Sequence, residues 1–279
     1  MRCPWPMLWF DLDSRLEEME AARKHIASGR VIRWPFNDPL LDGSIRARQS
    51  SLEVRGSFRT MGAPKTQPKG YIHILEKVEE ARDFILNNKI QTVVMDPMTR
   101  CIEHMERFLQ YQTKHGVIEE SGWGIYKSNL EELLSSVLSL PCSKIFIFHC
   151  RDYFDEETGR RTKSKPLISG QVQDKVGSYF AEAWFTFVEH DGNRPHWKVR
   201  TQPAPWVDCR TSKKLDEVED QDFPALLKKG GWNDETFTVM LFGAFGTGKT
   251  SLALSLCEVE KEKEECVATT KDADSQATT

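Results

Sequence analysis

A chain of 279 residues, 39% apolar and 29% charged, suits one large or two small globular domains and is far from a disordered composition. Its net charge of −4 gives no overall pull toward nucleic acid, so any such contact must come from local basic patches. No run approaches the roughly 18 apolar residues a membrane span needs, and seven cysteines without a C-x-x-C pair point to reduced thiols in a cytoplasmic or nucleoid-like compartment rather than to secretion.

Pro6–Asp11 reads as a short apolar strand rather than a signal peptide, because MRCPWPMLWF runs into Asp11 and Asp13 without a small-residue cleavage site. Ser14-Arg15-Leu16-Glu17 has the capping-box pattern and predicts a helix ending near Gly29. Val31–Trp34 is a second short strand. Residues 38–70 lack periodicity, hold Gly43, Gly56, Gly62, Pro64, Pro68 and Gly70, and carry Arg46, Arg48, Arg55, Arg59, Lys65 and Lys69; they are expected to form a mobile excursion. Leu75, Val78, Ala81 and Ile85 predict a helix over Ile74–Leu86, and Ile90–Met95 is an apolar strand ending at Asp96.

Residues 97–125 are expected as helix or loop. Ser128-Asn129-Leu130-Glu131 is a second capping box, opening a helix with Leu130, Leu133, Leu134, Val137 and Leu138 on one face. Ile145–Phe148 is the next strand, stopping at His149, and Arg151–Gln173 is a polar, basic loop. Ala183–Glu189 and His196–Thr201 flank Asp191-Gly192, a hairpin signal. A connector over 201–236 leads to the apolar strand Phe237–Phe242, and residues 258–279 read as a disordered polar tail. Helices alternating with short apolar strands predict one α/β domain over 1–257, with a mostly parallel central sheet flanked by helices. In such sheets ligands bind beyond the carboxyl ends of the strands.

The stretch Phe237–Cys257 carries the strongest chemistry. After its strand, Gly243-Ala244-Phe245-Gly246-Thr247-Gly248-Lys249-Thr250 matches G-x-x-x-x-G-K-[ST], and Ser251 onward reads as a helix. Strand, glycine loop and helix in that order define a phosphate-binding loop: backbone N–H groups of Gly243–Ser251 face phosphate oxygens and the helix N-terminus adds positive potential. Lys249 would reach the β- and γ-phosphates of ATP, and the Thr250 hydroxyl would ligate Mg²⁺. Thr92-Val93-Val94-Met95-Asp96 has the form of the partner strand, in which a rigidly held carboxylate positions the metal. An Asp at a strand end is also a common turn initiator. Asp11 and Asp13 offer carboxylates at another strand end; Asp13 suits a base for the attacking water, with helix capping beside Ser14 as the alternative. His149 has no metal-ligand spacing around it, which leaves a phosphate contact or a structural role.

Together these residues resemble the RecA-like ATPases, particularly phage-encoded nucleotide-binding proteins of the recombinase type, over most of residues 6–206 and 237–257. The resemblance implies that WFDLDS supplies the catalytic acid Asp13, TVVMDP the metal-positioning Asp96, and IFIFHC the γ-phosphate sensor, with His149 in place of the usual Gln. It likewise implies that Lys198 and Arg200 complete a neighbouring subunit's site in a homo-oligomer. Arg160, Arg161, Lys163 and Lys165 would then sit in a loop binding single-stranded DNA. Family order is restored only if the chain is read as a circle, so it resembles a circular permutant whose phosphate loop lies near the C-terminus. The alternative, that Phe237–Cys257 belongs to a following copy, stays open on sequence. So do a non-hydrolysing nucleotide-gated module and a small-molecule kinase.

Overall fold

The computed structural model describes residues 4–36, 68–113, 117–192, 194–232 and 235–259. The expected excursion over 38–70 and the tail over 258–279 lie largely outside these residues. In chain order the described elements are β1 (Met7–Asp11), α1 (Glu20–Ala27), β2 (Val31–Pro35), α2 (Gly70–Asn87), β3 (Thr92–Asp96), α3 (Met98–Tyr111), α4 (Glu120–Leu138), β4 (Ser143–Phe154) and β5 (Arg161–Pro166). There follow β6 (Glu182–Asp191), β7 (Arg194–Arg200), β8 (Val218–Asp220), α5 (Phe223–Gly230), β9 (Thr238–Gly243) and α6 (Lys249–Leu254). No helix among the described residues is long and apolar enough to cross a membrane.

The strands make one sheet in the order β2-β1-β3-β4-β9-β6-β7-β8, with β5 paired to the far half of β4. The six strands from β2 to β6 run parallel, and β7 and β8 turn the edge antiparallel. Parallel strands are covered on both faces, so their sequences read as continuous apolar runs. Alternate residues of these runs enter two separate cores. Leu8, Phe10, Val93, Met95, Phe146, Phe148, Met240 and Phe242 pack under α2, α3 and α4. Met7, Trp9, Val94, Ile145, Ile147, Val239 and Leu241 pack with Ala22 of α1, Leu226 and Leu227 of α5, and Leu252 and Ala253 of α6. The late strand β9 lies in the middle of the sheet, between β4 and β6, with Ile145 beside Val239 and Phe148 beside Phe242.

Four local expectations are corrected. The Ser14 capping box opens no regular helix: a 3₁₀ turn covers Leu16–Glu18 and α1 starts at Glu20, because Asp11 accepts the N–H groups of Arg15 and Leu16 at 3.1 and 3.2 Å. Helix α4 runs through Gly122, Gly124 and Ser128 rather than beginning at Ser128. Tyr126 is buried with Leu130 and Leu133 on the same helical stripe, and that burial outweighs the glycines' propensity. Strand β4 continues past His149 to Phe154 and pairs with β5, making a ribbon of the expected basic loop. The connector after Thr201 holds β8 and α5, whose first turn is capped by Asp222 accepting from Ala225 N–H.

Candidate active site

The carboxyl ends of β1, β3, β4 and β9 meet at one cavity of about 770 Å³, within the range of small-molecule sites. Asp11 pairs in register with Asp96, and His149 with Gly243. The cavity wall includes Asp11, Asp13, Asp96, His149, Lys249 and Thr250, so residues from opposite ends of the chain share one space.

The glycine loop is held by its own geometry. Gly246 and Gly248 have φ of +75° and +81°, the left-handed region that glycine adopts without a Cβ penalty. A methyl built on Gly243 would overlap the Thr186 carbonyl and lie 2.8 Å from Thr247 Oγ1. Thr247 Oγ1 lies 2.8 Å from Thr186 Oγ1 and donates to Ala244 O at the same distance, fastening the loop to β6. Gln221, just after β8, donates from Nε2 to Thr247 O at 2.7 Å and to Lys198 O at 3.0 Å, fastening it to β7.

Lys249 is 5% exposed and donates to Gly243 O at 2.9 Å and Ala244 O at 2.7 Å. It forms no ion pair among the described residues, and burial lowers its pKa to about 8. Thr250 Oγ1 donates to Asp96 Oδ2 at 2.9 Å, across 154 positions of sequence. Burial raises the Asp96 pKa to about 7, against the lowering effect of that hydrogen bond. A buried ammonium on carbonyls, its desolvation offset only in part by the Asp96 charge, beside a carboxylate-bound hydroxyl, suits an anion that brings a divalent cation. No cluster of three metal-binding side chains occurs among the described residues.

The two carboxylates after β1 differ. Asp11 accepts from Arg33 Nε at 2.6 Å as well as from two backbone N–H groups, so its lone pairs are committed. Asp13 accepts from Arg15 N–H at 3.3 Å and contacts the Asp11 carboxyl, and burial followed by the Asp11 charge raises its pKa. Its expected capping role thus falls mainly to Asp11. His149 donates its backbone N–H to Thr99 Oγ1, while its ring stacks on Phe245 with centroids 3.7 Å apart. Its Nδ1 is buried without a hydrogen-bond partner, and burial lowers its pKa to about 4, so the ring is neutral near pH 7. Phe245 itself is 73% exposed at the loop tip.

Lys198 and Arg200 are not brought to the cavity of their own chain. They face Phe187 and Phe185 across the β6–β7 ladder, and so lie on the sheet face opposite the loop and α6. Lys198 Nζ pairs with Asp220 at 2.7 Å, and Arg200 pairs with Glu217 and lies over Trp206. On the ribbon, Arg161 pairs with Asp152 at 3.2 Å and Lys165 with Asp174, while Arg160 and Lys163 are exposed and in no ion pair among the described residues. Sequence reasoning missed Arg15, Trp197 and Gln221, which line the cavity without belonging to any motif. Only the capping pattern around Ser14 touched one of them.

The architecture is an α/β fold with a mostly parallel central sheet between helical layers, of the Rossmann or phosphate-loop kind. No protein-family model, curated protein or solved structure matches the chain.

Proposed function

We propose that this chain binds Mg·ATP in the cavity between the glycine loop and the acid-bearing strand ends and hydrolyses it, as a circularly permuted RecA-like ATPase. The observation that carries the reading is the Thr250–Asp96 hydrogen bond of 2.9 Å beside the buried, anion-seeking Lys249. That is the arrangement a phosphate-bound magnesium ion requires of its hydroxyl and carboxylate. Magnesium, when bound, neutralises charge on the phosphate oxygens. Lys249 and the loop N–H groups would hold the phosphates, and Thr250 and Asp96 would hold the metal.

Asp13 orients a water and takes its proton as the water oxygen bonds to the terminal phosphorus and the bridging P–O bond breaks. Its raised pKa brings it toward the range where a base works best. Arg15, on the cavity wall and in no ion pair among the described residues, supplies positive charge at the terminal phosphate from the same chain. Neutral His149 offers its unpartnered Nδ1 to a phosphate oxygen.

The permutation has its own support. Trp5 Nε1 donates to Val259 O at 2.8 Å, and Arg30 donates to Cys257 O. The turn that ends α6 therefore lies against the start of β1, where the family's chain would continue directly. Action on single-stranded DNA rests on the β4–β5 ribbon, whose Arg160 and Lys163 stand near the exposed rings of Tyr153 and Phe154 in the ladder.

The test is ATP hydrolysis by the parent, Lys249→Ala and Asp96→Asn, with and without single-stranded DNA. Turnover in the parent and a loss on the order of a hundredfold or more in both variants is the expected result. Equal, negligible rates in all three reject hydrolysis, and a rate indifferent to DNA rejects the DNA role.

A further inference from the structure

The cavity extends past the glycine loop on the side away from the acids. Strand order sets β1 and β3, which precede Asp13 and end in Asp96, on one side of β9, and β6 and β7 on the other. At this second end the wall is Trp197 of β7 and Gln221, both beside Gly248. A methyl built on Gly248 would overlap Gln221 Oε1 and come within 3.1 Å of Trp197 Cδ1. Trp197 lies two residues before Val199, which is buried in the same core as Leu252 and Ala253 of α6, so the indole is on the loop's face of the sheet. It is 47% exposed, whereas Phe245, the other exposed ring of the cavity, is already stacked on His149.

The orientation of Gln221 follows from its neighbours. Thr247 O and Lys198 O both accept, so the atom facing them is the amide nitrogen, and the amide oxygen is turned toward Gly248. Both N–H groups are engaged. What this side chain offers a ligand is therefore an acceptor.

Resting on the reading of this cavity as a nucleotide site, we infer that Trp197 is the platform on which the base of the nucleotide stacks. A polyphosphate on Lys249, with its metal at Thr250 and Asp96 and its last phosphate toward Asp13, fills the acid end and directs the nucleoside to the Trp197 end. The indole face accepts any base, since each has a π-face. Gln221 Oε1 adds a preference for a ligand that presents an N–H or O–H. The site thereby takes a nucleoside triphosphate in preference to inorganic polyphosphate.

The experiment measures Kd for Mg·ATP and for magnesium tripolyphosphate, by calorimetry, on the parent, Trp197→Ala, Trp197→Phe and Lys249→Ala. The expected result is that Trp197→Ala weakens ATP by about tenfold or more, toward the tripolyphosphate value, and leaves tripolyphosphate within about twofold. Trp197→Phe, which keeps a ring, recovers most of the loss. Equal ATP affinity in the parent and Trp197→Ala overturns the inference, as does a parallel loss of both ligands, which would mean that Trp197 acts through the loop. Failure of the nucleotide reading looks different: the parent then binds neither ligand, or Lys249→Ala binds both as the parent does.

Discussion

Two lysines on neighbouring parts of one sheet meet opposite fates. Lys198, on the antiparallel edge, reaches Asp220 in solvent, where a salt bridge contributes about 0–1 kcal/mol and asks for nothing further. Lys249, at the centre, is buried on two carbonyls, and the nearby Asp96 charge offsets its desolvation only in part, without a direct ion pair among the described residues. Burying an ammonium without a direct ion pair is costly, and such a group in a cavity is a candidate for an anionic ligand. Composition would rank the two lysines alike. Their surroundings separate a surface tie from a buried, desolvated ammonium.

The sharpest way to test this contrast is substitution at its centre. Lys249→Ala should weaken Mg·ATP binding or turnover on the order of a hundredfold or more, read by calorimetry or phosphate release, while the fold persists by circular dichroism. Gly243→Ala comes next: its new methyl meets the Thr186 backbone carbonyl, which has little room to yield, and should cost about 1–3 kcal/mol in denaturant unfolding.

Acidity probes the same burial without mutation. Asp96, raised to about 7, contributes stability to the ligand-free fold at low pH that is lost as pH rises through that value. Lys249, lowered to about 8, contributes stability at high pH that is lost as pH falls through that value. Their joint contribution is therefore lowest between about pH 7 and 8, where both are charged. The rise in Tm on adding Mg·ATP should be largest in that window and shrink toward both pH 5.5 and pH 9.5; a flat profile would count against it.

His149→Gln should alter turnover only a few-fold and leave its pH profile in place, because the imidazole is already neutral above about pH 4. Lys198→Ala should move unfolding free energy by no more than about 1 kcal/mol, while Arg200→Ala, which also removes packing over Trp206, should cost more. A hundredfold loss of turnover from either, in a stably folded protein, would break the contrast and assign them to a neighbouring subunit's site.

Much of the fold was legible because buried parallel strands are locally distinctive. Runs such as Met7–Phe10, Val93–Met95, Ile145–Phe148 and Val239–Phe242 are apolar on both faces, and each was readable without its neighbours. The ribbon was not, since Arg151–Pro166 alternates polar residues in solvent and its pairing partner is the only thing that makes it a strand. The start of helix α4 is not legible locally, because Tyr126 decides that turn by packing, against two glycines and a better cap at Ser128.

Within the site the division is similar. The glycine loop, Asp96, Asp13 and His149 were visible because each closes an apolar run with a polar group at its end. Arg15, Trp197 and Gln221 were invisible, since nothing in the residues around them marks a wall that forms only when β7 and the β8–α5 turn come beside the loop. Sequence alone determined which segments must be buried and where the glycine turn between strand and helix falls, because those properties depend on neighbours one to four residues away. Which acid meets the Thr250 hydroxyl, which of Asp11 and Asp13 takes Arg33, and which aromatic ring borders the loop depended on strand order and register. Those are decided by burying two apolar faces at once, a constraint that no short stretch of chain contains.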